Sequence, residues 1–135
     1  MAVKMSVVVR NAKLNAVETA IGASPVLKLR TGAPPANIVD PDSGTAVATM
    51  DLPADWMGNA DAGAKALAGT WQDAGADSSG TIGHFRLYAA DGTTQHIQGT
   101  VTNTGGGGDM TVQNVVVEAA QAITITGFTL TAGNA

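Results

Sequence analysis

Residues 81–131 alternate apolar and polar side chains, broken only by glycine-rich turns: TIGHFRLYAADGTTQHIQGTVTNTGGGGDMTVQNVVVEAAQAITITGFTLT. A period of two over this length demands strands with one face on a core and the other in water. The best local inference is the hairpin at 81–101, whose Asp91-Gly92 pair allows two turns. A two-residue type I′ turn pairs Ala90 with Thr93 and puts His96 on the face of Phe85 and Leu87. A type I turn with Gly92 in a bulge pairs Ala89 with Thr93, so that Phe85 faces Ile97 and Val101 joins the same side. A one-residue slip flips every side chain, so burial decides for the bulged turn. The outer face is then His84, Arg86, Tyr88, Thr94, His96 and Gln98.

The same reasoning extends along the chain. Ser6 is a fitting N-cap for a helix over 6–21, with Leu14, Val17 and Ile21 on one face and Gly22 as its stop. VLKLR after Pro25 reads as a strand, and TGAPPANIVDPDSG as a long loop with three prolines. TAVATMDL (45–52) is a strand, PADWMGNADAG is irregular, and KALAGTWQ (65–72) reads as a strand or a helical turn. NVVVE and AITITGFTLT close the chain. Ile123 and Ile125 are in phase, Phe128 and Leu130 in the opposite phase, and Gly127 at the switch predicts a bulge. Seven or eight short strands and one helix make a mostly β chain. The expected architecture is an antiparallel β-sandwich or jelly roll in one domain, with an arm and helix over 1–24 and the β-body over 25–135.

Composition narrows the function. With 135 residues and no cysteine, disulfides and thiolate metal sites are excluded. No stretch reaches the ~20 apolar residues of a membrane span, and Arg10 and Lys13 interrupt the early valine run, so no signal segment is expected. Charged residues are 13% of the chain, about half the usual share, which suits either a surface covered by another protein or an ordinary β-domain with a Thr-rich surface. Residues 1–30 hold five cations against one acid, residues 31–135 two cations against ten acids. A basic head on an acidic body points to contact between copies or to an acidic partner. No basic cluster with interleaved aromatics points to nucleic acid.

Candidate chemistry is sparse. His84 and His96 share a face but lack a third ligand for a metal. Asp40, Asp42 and Ser43 echo part of a calcium loop without its terminal Glu. GADSSGTIGH is no nucleophile elbow, and GGGGD has no phosphate-loop lysine. Trp56, Trp71 and Tyr88 are candidates for a sugar platform or for core pieces. Trp56, in a polar irregular segment, is expected to be exposed or interfacial. No cofactor, metal or catalytic set is expected.

The helical head VVVRNAKLNAVETAIG, the low-charge β-body, the hairpin GTIGHFRLYAADGTTQHIQGTV and the closing ITITGFTLTAGNA together resemble small virion proteins of tailed bacteriophages. They most resemble capsid decoration, or cement, proteins. That resemblance implies a structural, non-enzymatic protein on the capsid surface, assembled in the host cytoplasm. It also implies a dimer or trimer bridging major capsid protein subunits, with no membrane partner. On that expectation the contact residues are Lys4, Arg10 and Lys13 in the head, Pro34, Pro35 and Ile38 in the long loop, and Trp56 with Met57 as an anchor. The alternative is a tail or fibre module that binds a host glycan or protein.

Overall fold

A computed structural model describes residues 3–135. Helix α1 spans Val7–Ile21. Ser6 caps it by accepting from the Val9 N–H, and Gly22 ends it at φ 91, where a side chain would be strained. Leu14 and Ile21 are its buried residues.

Nine strands follow: β1 (Val26–Thr31), β2 (Ala46–Asp51), β3 (Ala64–Ala66), β4 (Gln72–Asp73), β5 (Gly80–Tyr88), β6 (Gln95–Asn103), β7 (Met110–Val112), β8 (Val116–Val117) and β9 (Ile123–Thr131). They form one path in the order β2-β1-β5-β6-β7-β9-β3, with β4 on β9 and β8 on β5. The protein is thus mostly β with one short helix, and its sheet is mixed and curls into a half-barrel. The strands do not divide into two facing antiparallel sheets in their hydrogen bonding. The curl brings β4 back to β2, where Asp73 accepts from the Thr49 N–H (3.1 Å) and Asp77 from the Thr49 hydroxyl (2.8 Å).

The mixed character comes from β6 and β7, which run parallel with Val101 opposite Met110. Parallel neighbours normally need a crossover of a dozen residues or more. Here residues 104–109 suffice because Gly105 and Gly107 take positive φ (85 and 83). Gly106 and Gly108 lie against Thr102, where a Cβ would clash.

The hairpin keeps the expected faces but not the expected register. Ala89 N–H donates to Thr94 O, so the turn closes on Thr94 rather than Thr93. A bulge beside Leu87 then sets Leu87 opposite Ile97 and Phe85 opposite Gly99. Two shifts compensate in parity, and Phe85, Leu87 and Val101 still point into the core. At Gly127 the expected bulge is present: Thr111 faces Gly127 while Val112 faces Ile125. Ile123, Ile125 and Phe128 are all buried as a result.

Trp56, Trp71, Phe85 and Phe128 form a chain of aromatic contacts inside the curl, with centroids 5.5–6.0 Å apart. The expectation that Trp56 is exposed or interfacial fails within this chain, where it is 0% exposed and Met57 1%. The reason is a hydrogen bond that sequence does not show. Trp56 Nε1 donates to Gly22 O at the end of α1 (3.0 Å), and Trp56 O accepts from Trp71 Nε1 (3.1 Å). The polar segment 53–62 lies over the core and fills it with its two large residues.

Candidate docking site

The 14 residues 32–45 join β1 to its antiparallel neighbour β2, a link that two residues can make. The loop contributes no strand. Its carbonyls need partners, and the outer face of β1, β5 and β6 provides them.

Arg86 on β5 is the centre. It is 0% exposed. Nη1 donates to Asp40 O (2.9 Å) and Asp42 Oδ1 (2.8 Å), and Nη2 to Ile38 O (3.1 Å) and Asn37 O (3.3 Å). Nε and Nη2 both reach Gln98 Oε1 on β6, and the Gln98 amide donates to Pro35 O (2.7 Å). A guanidinium suits this role because its five N–H groups are held in one rigid fork. Arg30 on β1 takes Ser43 O (2.8 Å), and His84 Nδ1 takes Gly32 O (2.9 Å). A carbonyl only accepts, so Nδ1 carries the proton and the neutral tautomer is set. His84 Nε2 is buried without a partner.

Asp42 closes the network. Its Oδ1 also accepts from Tyr88 Oη at 2.6 Å, and its Oδ2 lies 3.7 Å from Arg30. Partial burial pushes the Asp42 carboxyl up, but the hydrogen bonds from Tyr88 and Arg86 and the two arginine charges win, and its pKa falls below normal. Burial, reinforced by Asp42, drives Tyr88 up to about 12. Burial holds His84 below its ordinary value, with Arg30 and Arg86 adding to the effect and the Gly32 hydrogen bond opposing it.

The outer face of the hairpin, expected in water, is therefore a floor beneath a folded loop. The Asp40 carboxylate holds the Asn37 N–H (2.9 Å), and Asp40 N–H returns to Asn37 O. Both acids of the supposed calcium loop are engaged with protein groups. His96 is exposed while His84 is sealed. Among the described residues no three His, Asp or Glu side chains are placed to share a metal.

Clamping the carbonyls on either side leaves Val39 at the tip of the Asn37–Asp40 turn, 82% exposed. Pro34, Pro35 and Ile38 are half-buried beneath it. Val39 was not legible in the sequence, because only the clamp distinguishes the outward Val39 from the inward Ile38. In the head, Lys4 and Lys13 are exposed. Arg10 instead lies against its own body, with Nη1 3.4 Å from Ala132 O. Met5 N–H donates to Asn134 O, so the head packs at its root on the C-terminal segment.

A second concavity, of about 590 Å³, opens where β7 and β9 splay apart. Four side-chain amides line it, Gln113 and three whose oxygens are engaged: Asn103 with Val115 N–H, Asn114 with Val116 N–H and Gln121 with Glu118 N–H. Their NH₂ groups are left as donors, and no charged residue lines the cleft. Among the described residues no helix is long and apolar enough to cross a membrane. No family model, curated protein or solved structure matches this chain.

Proposed function

We propose that this chain is a virion structural protein of the capsid-decoration type, docking on a lattice of major capsid protein through the tip of loop 32–45. The observation that carries this reading is Val39, 82% exposed on a turn whose carbonyls are held by the fully buried Arg86. A loop already fixed in one conformation loses little entropy on docking. Burying one valine is worth about 1.5–3 kcal/mol. One such contact is weak, but it repeats at every lattice position and adds by avidity within an oligomer. Binding only the expanded lattice stabilises that state by linkage. The reading needs a curled sheet that carries loops; whether its strands follow a jelly-roll order is a finer part of the proposal. The role is non-catalytic, and its place is the capsid surface.

The test mixes the protein with matched immature and expanded undecorated shells and measures saturation by sedimentation. Saturable binding to the expanded shell, weakened about tenfold by Val39→Ser (close to the full burial of one side chain) at unchanged melting temperature, supports the proposal. Absence of binding to either shell overturns it.

One observation favours the second reading, a tail or fibre module for a host glycan. The neutral cleft presents amide donors of the kind that bind sugar hydroxyls. Trp56 no longer belongs to that reading, because it is sealed in the core.

A further inference from the structure

Charge is segregated on the surface more sharply than in the sequence. Beyond residue 30 the cations are Lys65 and Arg86, and both are buried, at 1% and 0% exposure. Lys65 lies against Glu18 (2.7 Å), and Arg86 against Asp42 (2.8 Å). No other carboxylate of the body has an ion-pair partner among the described residues. The outer surface of the body is acidic, with no exposed cation of its own.

In the head, Lys4 and Lys13 are exposed and Arg10 is half-buried, while Lys28 and Arg30 are half-buried on β1. The two lysines border a helix face that is apolar where it meets water. Val3 is 78% exposed, Val8 73%, Val9 46% and Val7 43%. Ala12, Ala16 and Ala20 continue the Val8 line at a spacing of four, all exposed. Leu14 and Ile21 already occupy the inner face. An apolar stripe on the outer face of a helix is one that suits cover by a partner surface. Valines at a helix start lower helix propensity, which the Ser6 cap offsets in part.

Apart from the head and Val39, the exposed large hydrophobic residue is Val116, at 60%. It sits on the acidic body. Its strand β8 pairs with Thr81 and Gly80, and Ala119 and Ala120 bond to Ser79 and Ala76. Glu118, two residues along the chain, is exposed as well. Apolar centre with basic rim meets apolar centre with acidic rim. We propose that the Val8 face of one copy seats on the Val116 surface of a second copy, head to body. This contact is heterologous, so it closes into a ring or propagates as a chain. Lys4 and Lys13 steer it onto the acidic surface. The docking loop takes no part.

Sedimentation velocity of the full chain over a concentration series reads the contact directly. Self-association should weaken about tenfold or more between about 0.05 and about 0.5 M NaCl, as rim charges are screened. Val8→Asp should weaken it at least as much, with helix signal and melting temperature unchanged. Lys13→Glu should weaken it, and adding Glu118→Lys to that variant should restore it. Val39→Ser should leave it unaltered, which separates this contact from lattice docking. A monomer at every concentration and salt overturns the inference, and so does association indifferent to Val8→Asp. Loss with Val8→Asp but no rescue by the charge exchange overturns the head-to-body form in favour of helix against helix.

Discussion

Tyr88 is the one tyrosine of this chain, so its ionisation can be followed without overlap from another phenol. It is 1% exposed and donates to Asp42 at 2.6 Å. Burial first, then the Asp42 hydrogen bond and charge, place its pKa at about 12 against an ordinary 10.0. At about pH 11 an ordinary phenol is roughly 90% ionised, and one shifted by two units only about 10%. Tyrosinate absorbance in the near ultraviolet measures that fraction, while fluorescence of the buried Trp56 and Trp71 reports whether the fold persists. Asp42→Asn keeps an acceptor of the same shape and removes the charge, so the midpoint should fall towards 10 but stop short of it, since burial remains. The sign follows from linkage. The folded state holds the phenolic proton more tightly, so the stability from Tyr88 is whole below about pH 10 and is lost as pH rises to about 12. A native protein with Tyr88 nearly fully ionised at about pH 11 would refute the clamp. So would a variant midpoint equal to that of the wild type.

Acid should act through His84. Its lowered pKa means the unfolded chain takes up the proton first, so stability falls as pH drops below the ordinary 6.5; in His84→Asn, which retains a donor for Gly32 O, that part of the thermal-melt pH profile should flatten. Arg86→Met leaves buried carbonyls and Asp42 without their main partner, a loss of about 3–5 kcal/mol, read as a drop on the order of 10 °C in Tm for a domain of this size. At Gly83 an added Cβ would meet the Gly32 carbonyl at the root of the loop, so Gly83→Ala should lose about 1–3 kcal/mol by calorimetry and bring the Tyr88 midpoint down with it.

What was legible in the sequence depended on local rules. The Ser6 cap, the Gly22 stop, the strand at 26–31 and the Gly127 bulge each need only a few neighbouring residues. Which face of the hairpin enters the core was legible because parity is set by the apolar pattern, even though the turn closed one residue later than expected. What failed was non-local. The parallel pairing of β6 with β7 depends on Gly105 and Gly107 turning at positive φ and on Gly106 and Gly108 packing on Thr102, whereas the same glycines in sequence read as a plain flexible tip. Trp56 was assigned to water or an interface because its neighbours are polar, yet its indole N–H is satisfied 34 positions away in sequence. The outer face His84, Arg86, Tyr88 and Gln98 is polar by pattern, but pattern does not reveal what lies on top of it.

Charge is sparse in this chain, yet two of its cations, Lys65 and Arg86, lie inside it. Each fastens a piece of chain that the sheet cannot hold by pairing. Lys65 ties α1, through Glu18 and Asn15, to Gly58 O (2.7 Å). Arg86 ties loop 32–45. Neither strut is needed to join the elements on either side: β1 and β2 are antiparallel neighbours that a tight turn would connect. Loops of this length are usually functional or disordered, and one pinned by a buried guanidinium at four of its acceptors is not disordered. Burying that charge costs more than a two-residue turn would. Under the docking proposed above, that excess serves the display of Val39 to a partner.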